Sequence, residues 1–370
     1  MIKQKLLYGT IGLLLGYCTV QPVLACTGTK VEAQDGTVLF GRTLEFGAEM
    51  HSNVILIPRN YQLVANASTE QNNFTWKSKY AVLGMNAESL PSIVEGVNEK
   101  GLRVGLFYFP GYAGFQTVAP NEAQNSLSSY DVGTWILTNF TSIDEVKAAI
   151  QKIKVSNAPF KNWGFVLPLH YIVSDTAGNS LIMEYVGGTL KMYDDATGVF
   201  TNAPEFNWQK TNLNTYANLT PTEVVASEVP KLNLKSFGLG SGMLGLPGDF
   251  TSPSRYVRMS LFTATMLPVP DSQLAVSGIF HLLNLFDVPK GSSIEQYKGS
   301  NFYDYTQWTT VIDVKKRLLY FTTYNSRNIK MVDMSEFDLD AKDIKVIDVA
   351  GDTTIDDVSE NNKIFSPAKQ

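Results

Sequence analysis

Apolar and polar residues alternate with a period of two through Cys26–Ala33, Thr37–Phe46 is strand-like, and Gln34-Asp35-Gly36 between them is a tight-turn signal. The pattern predicts a β-hairpin. Asn53–Arg59 is apolar and β-branched, a further strand. Ile93–Val97 and Leu102–Phe109 flank the turn Asn98-Glu99-Lys100-Gly101, and Leu169–Ser174 and Ser180–Val186 flank Asp175-Thr176-Ala177-Gly178-Asn179. Gln307–Val314 and Leu318–Tyr324 flank Lys315-Lys316-Arg317. Connections this short demand antiparallel pairing. Between the strand pairs the period changes. Ser142-Ile143-Asp144-Glu145 reads as a capping box opening a helix through Ile153. Tyr130–Phe140, Glu205–Ala217, Ser254–Met266 and Asp271–Leu285 are further helix candidates. Hairpins alternating with helices predict an α+β fold, antiparallel sheets covered by helices. No repeat, charge run or Pro/Gly/Ser linker divides residues 26–350, which therefore read as one domain followed by a polar tail at 351–370.

The first 25 residues have a different pattern. Lys3 and Lys5 precede an apolar run from Leu6 to Val20, and Val23-Leu24-Ala25 forms a small-residue cleavage site. This is the layout of an export signal. Removing these 25 of 370 residues leaves 345, and the loss of two lysines takes the formal charge from −5 to −7. Cys18 leaves with the signal, so Cys26 becomes both the only cysteine and the first residue. The expected location is the periplasm or the exterior.

Composition narrows the chemistry. Hydrophobic residues are 44% and charged residues 18%, which excludes disorder as the main state. The negative charge argues against a nucleic-acid partner. Two cysteines and three histidines are too few for a disulfide scaffold or a histidine–cysteine metal site. Gly240-Ser241-Gly242-Met243-Leu244-Gly245 matches a dinucleotide-binding spacing, but Leu246-Pro247-Gly248 blocks the helix that must follow, so it reads as a glycine-rich loop. His170 in a strand and His281 in an apolar helix are expected to be structural.

Cys26 has three readings. Val-Leu-Ala-Cys fits a lipobox, in which the cysteine is lipidated and the protein is a non-catalytic lipoprotein. An N-terminal nucleophile is the second, and a leftover thiol the third, the weakest in an oxidising compartment. A lipoprotein usually begins with a polar tether, whereas here the chain enters a hairpin at once. A free thiol ionises near ~8.5 and an α-amine near about 7.7–8.0, so the amine of the same residue is a matched base and no histidine is required. A guanidinium nearby would stabilise the thiolate and a carboxylate would orient the amine. Gly41-Arg42-Thr43-Leu44-Glu45 on the partner strand carries both.

Several blocks, in one order, resemble the choloylglycine hydrolases and penicillin V acylases. They are Cys26-Thr27-Gly28, Gly41-Arg42-Thr43-Leu44-Glu45, Ala81-Val82-Leu83-Gly84-Met85 and Asn98-Glu99-Lys100-Gly101-Leu102. They continue with Thr201-Asn202-Ala203-Pro204 plus Phe206 and Trp208, then Leu246-Pro247-Gly248-Asp249-Phe250 leading to Ser254-Arg255. The resemblance runs from Cys26 to about Asn325 and implies an αββα sandwich, the N-terminal-nucleophile hydrolase fold, often as a homotetramer. It implies hydrolysis of linear amides, namely bile-acid conjugates or penicillin V, with acyl-homoserine lactones cleaved by some relatives. It implies no metal or organic cofactor. On the resemblance, Cys26 is nucleophile and base, Arg42 tunes it, Asn202 donates to the oxyanion and Arg255 supports the site. Glu45 stands where the family usually has aspartate, one methylene shorter. Tyr108 stands where bile-salt hydrolases commonly have asparagine and penicillin V acylases tyrosine. This leans the substrate toward aryl-acyl amides, while overall similarity leans it toward bile salts. Tyr108, with Phe107 and Phe109, is a candidate for an apolar substrate mouth, the two phenylalanines reading better as core.

Overall fold

A computed structural model of the chain describes residues 25–67, 73–226, 228–297 and 299–351, with 353, 355, 357 and 359. The expected export signal, apart from Ala25, and most of the expected tail lie outside the described residues.

The strands in chain order are β1 (Cys26–Glu32), β2 (Val38–Phe46), β3 (Val54–Ile57), β4 (Gln62–Val64), β5 (Thr75–Lys77) and β6 (Val82–Asn86). Next come β7 (Ile93–Asn98), β8 (Arg103–Tyr108), β9 (Ser126–Ser128), β10 (Lys154–Ser156), β11 (Leu169–Ser174), β12 (Ser180–Val186) and β13 (Thr189–Asp195). The last are β14 (Ser293–Tyr297), β15 (Ser300–Asp313), β16 (Leu318–Thr323), β17 (Lys330–Asp333) and β18 (Lys345–Ile347). The helices are α1 (Val132–Asn139), α2 (Ile143–Ile150), α3 (Phe206–Leu213), α4 (Ser252–Thr265) and α5 (Ser272–Asn284).

Two antiparallel sheets dominate. One runs β1-β2-β15-β16-β17, with β14 added to β15; the other runs β13-β12-β11-β8-β7-β6-β3-β18. Period-two alternation sends successive side chains to opposite faces, and both faces are covered. In the second sheet Val54, Leu56, Ile172 and Ile182 join the core shared with the first sheet. Their neighbours Ile55, Ile57, Val173 and Leu181 join the core beneath α1 and α2. On the far side α4 and α5 cover β1 and β2. The layers are therefore helix, sheet, sheet, helix, the expected αββα sandwich.

The expected hairpins are all present in antiparallel register, and among the described residues the only parallel ladder between named strands is the three-residue β9–β10 pair. The capping signal before α2 works through two residues. Ser142 accepts from Glu145 N, while Glu145 Oε2 accepts from Thr141 N rather than from Ser142. Differences from expectation have local causes. The helix expected from Tyr130 begins at Val132, with Asp131 at the N-cap: its carbonyl accepts from Trp135 N, its N–H donates to Ser128 O, and its carboxylate accepts from Asn66 N and Ser128 N. The strand expected from Gln307 begins at Ser300, since its first half is polar and pairs with β14, and a bulge between Thr306 and Trp308 separates the halves. His281 lies on the exposed face of α5 rather than in the core. The glycine-rich segment is a loop, as expected, with one 3₁₀ turn at Ser241–Met243.

Gly41 sets how closely α5 approaches the sheet. A Cβ there would stand 2.4 Å from Ile279 Cγ2 and 2.9 Å from Leu283 Cδ1. Gly41→Ala therefore pushes α5 off β2, and overpacking of this kind costs about 1–3 kcal/mol. A denaturant melt reads this as a lower midpoint at unchanged slope; an unchanged midpoint would show that α5 is not held at that distance.

Candidate active site

The β1–β2 register places Cys26 opposite Leu44 and Gly28 opposite Arg42. Alternation then separates two groups of side chains. Gly28 faces the second sheet, where an added Cβ would lie 3.0 Å from Phe107 Cζ, and Arg42 enters the same layer. Thr27 and Thr29 face α4 on the opposite side, contacting Arg255 and Thr263. Cys26 ends the strand between these layers, so a cation reaches it from each.

From the inter-sheet side, Arg42 Nη2 donates to Cys26 Sγ at 2.9 Å. Nη1 donates to Leu106 O at 2.6 Å and to Val94 O at 3.5 Å, Nε donates to Thr43 O at 3.2 Å, and the guanidinium lies 4.0 Å from the Phe107 ring centroid. From the helix side, Arg255 Nη1 donates to Cys26 O and to Thr27 Oγ1, Nη2 to Asn202 Oδ1 at 2.7 Å, and Nε to Phe250 O at 2.9 Å. Both arginines are almost wholly buried, 0% and 1% exposed. The start of α4 delivers Arg255, with Pro253 in its first turn, where a missing N–H costs nothing.

Asn202 connects these parts. Its Oδ1 accepts from Cys26 N at 2.7 Å as well as from Arg255, and its Nδ2 donates to Tyr108 O at 2.8 Å. Two donors on one atom fix the orientation of the amide, leaving one Nδ2 proton for a further acceptor. Ser252 Oγ accepts from Asn202 N at 2.9 Å. His170 Nε2 lies 3.0 Å from Thr201 O, while its Nδ1 lies 3.1 Å from Glu184 Oε1, so its role is structural.

Glu45 differs from expectation in what it touches. Cys26 N is held by Asn202, whereas Glu45 Oε1 accepts from Thr306 Oγ1 at 2.9 Å across the β2–β15 ladder. Its Oε2 is buried without a hydrogen bond of ordinary length among the described residues. Burial pushes this carboxyl up to about 7, against the opposing pull of Arg255, of the Thr43 and Thr306 hydroxyls and of Arg42. Burial likewise raises the Cys26 thiol; Arg42 and Arg255 pull it back down, and Glu45 opposes them. Arg255 is lowered by burial to about 10 and stays charged at neutral pH.

Cys26, Arg42, Glu45 and Tyr108 open onto a cavity of about 680 Å³, part of it open to solvent. Its walls are mostly apolar and aromatic, including Leu106, Tyr130, Phe160 and Trp163. Phe107 and Phe109 are core, as expected, and Tyr108 between them lines the cavity. Thr27, Ser252 and Thr306 also belong to the network; Thr27 lies in the Cys26-Thr27-Gly28 block, whereas Ser252 and Thr306 fall in none of the blocks that carry the resemblance.

A buried thiol gripped by a guanidinium, with a polarised amide beside it and an apolar cavity in front, in an αββα sandwich, defines an N-terminal-nucleophile type of amide hydrolase. The sequence pattern described as "Linear amide C-N hydrolases, choloylglycine hydrolase family" matches residues 26–347, and the chain belongs to that family. It is 33% identical over 322 residues to a bile salt hydrolase/transferase of Clostridium perfringens, covering 86% of this chain and 95% of that protein. A solved variant of the conjugated bile acid hydrolase of the same organism superposes with a TM-score of 0.81 at 31% identity, covering 90% of this chain and all of the other. Penicillin V acylase from Agrobacterium tumefaciens shares the fold, with a TM-score of 0.71 at 22% identity over 89% of this chain and 93% of that one.

The buried Glu45 carboxyl makes stability depend on pH. Its folded value, about 7, exceeds the ordinary 4.5, so between these values the folded chain holds a proton that the unfolded chain has released. Stability therefore falls as pH rises through this window. Glu45→Gln removes that dependence, and its stability relative to the parent rises by about 3 kcal/mol between pH 4.5 and 8. Denaturant titrations at the two pH values measure it; a flat or falling difference would mean that Glu45 is already ionised in the folded protein.

Proposed function

We propose that this protein is exported, that its mature form begins at Cys26, and that it hydrolyses amides of apolar acyl groups through a thioester on Cys26. The observation that carries this is the double hold on one residue, with Arg42 on Sγ and Asn202 on the backbone nitrogen. Cleavage before Cys26 turns that nitrogen into an amine where it can take the thiol proton. The thiolate attacks the substrate carbonyl carbon, and the remaining Nδ2 proton of Asn202, with the Tyr108 backbone N–H, stabilises the oxyanion. Collapse breaks the C–N bond, and the amine leaves with the proton held by the α-ammonium. Water, activated by the same amine, then attacks the thioester and releases the acid.

The apolar cavity suits a steroid or aryl group. Conjugated bile salts are the first substrate class, because the bile salt hydrolase/transferase of C. perfringens is related across nearly the whole domain. Penicillin V is the second, because Tyr108 lines the cavity. Glycocholate, taurocholate, penicillin V and an acyl-homoserine lactone assayed side by side test this reading. At least one bile conjugate or penicillin V is cleaved, and Cys26→Ala lowers that rate on the order of 10³-fold or more. Intact mass then shows a free N-terminal cysteine. A lipidated Cys26, or full activity in the variant, would overturn the mechanism, and cleavage of the lactone alone would overturn the substrate class.

We also propose a homo-oligomer, with a tetramer as the expected size. Phe237, Leu239 and Leu244 project from the long connection between α3 and α4 at 105%, 96% and 84% exposure, an apolar surface suited to contact with other copies. Light scattering on the parent gives a mass above the monomer and Phe237→Asp lowers it; a monomeric parent would contradict the proposal.

A further inference from the structure

Behind Arg42, on the side away from the thiol, lies an ion pair that the chemistry above leaves unused. Glu95 of β7 and Arg103 of β8 are 1% and 2% exposed, and they are joined by two bonds, Nε to Oε1 at 2.6 Å and Nη2 to Oε2 at 2.8 Å. Glu95 Oε2 also lies 3.9 Å from Arg42 Nη1. The Arg42 guanidinium therefore stands between two sulfur and oxygen acceptors, Cys26 Sγ at 2.9 Å and this carboxylate. Gly105, opposite Glu95 in the register, leaves room for the pair: a Cβ there would lie 2.6 Å from Glu95 Oε2 and 3.0 Å from Arg103 Nη2, so a side chain would displace these ends.

Charge explains why a pair, rather than a lone carboxylate, occupies this place. Arg42, Arg103 and Glu95 together carry one net positive charge, and ionisation of Cys26 neutralises the cluster. Buried charge is tolerated where it is paired, so such an arrangement favours the thiolate. Glu95 without Arg103 would compete with Cys26 for Arg42, and Arg103 without Glu95 would repel Arg42.

We propose that Glu95 and Arg103 are positioning residues of the nucleophile, holding Arg42 on Cys26 and setting how readily that thiol ionises. The inference rests on the reading of Cys26 as nucleophile. The other charged groups facing the thiol are Glu45 on β2 and Arg255 on α4, and they remain in place in every variant below.

The test is the pH profile of Cys26 alkylation by iodoacetamide, followed by peptide mass spectrometry on the purified protein. Glu95→Gln lowers the ionisation midpoint, raising alkylation at least about threefold at a pH one unit below the native midpoint. Arg103→Met raises the midpoint and lowers alkylation by a similar factor. The double variant, with both charges gone, returns to within about twofold of the parent. Opposite signs with mutual correction are not produced by general loosening of the fold. Shifts of the same sign, or none, in variants that melt cooperatively would overturn the proposal. If Arg103→Met does not fold, Glu95→Gln and the double variant decide, since the second change has to reverse the first. The nucleophile reading fails separately: amidase activity retained in Cys26→Ala refutes it whatever the midpoints do.

Discussion

Arg42 and Arg255 bring two full positive charges into the interior on either side of Cys26, and desolvating each costs several kcal/mol unless nearly every donor finds an acceptor. Much of the surrounding structure is the answer to that constraint. Carbonyls of Thr43, Leu106, Phe250 and Cys26 itself accept from the two guanidinium groups, and the Phe107 face covers one of them. The thiol, the Asn202 amide, the Thr27 hydroxyl and the Val94 carbonyl accept further bonds from them. Burial raises the Cys26 thiol, and the two arginines oppose that rise.

The layers make the arrangement possible. A single antiparallel sheet with one wet face would expose alternate residues of β2, and a charge there would be solvated. Every residue of β2 is buried, because β8 and its neighbours cover one face and α4 and α5 the other. Alternation consequently assigns Arg42 to one layer and Glu45 to the other. Cys26, at the strand end, is met from both layers, by Arg42 at its Sγ and by Arg255 at its carbonyl.

The parts of this that depend on local pattern were legible in the sequence. The first hairpin and the helix at Ser142 follow from turn and capping residues, and the helix at Asp271 from its apolar pattern. The grouping of Cys26, Arg42, Asn202 and Arg255 was legible only through the resemblance of separate blocks, since taken singly Arg42 looks like a solvated strand charge and Asn202 like a turn residue. β13 was missed because its residues are mostly half exposed and its alternation is short, and β14 with the first half of β15 because they are largely polar. Thr306 and the Glu95–Arg103 pair were illegible for a different reason. Thr306 meets Glu45 from 261 positions away, past a bulge that no local rule predicts. Glu95 reads as an ordinary strand charge until the second sheet is seen to face the first.

The central claim is that Cys26 carries the acyl group during turnover. Acid quenching during turnover of the best-cleaved amide, followed by intact-mass and peptide mass spectrometry, tests it most directly. The account predicts a protein heavier by the acyl group, with the adduct on Cys26 and released by hydroxylamine as a thioester. Steady amine release with no adduct at Cys26 under conditions where acylation outpaces hydrolysis, or an adduct on another residue, would contradict it.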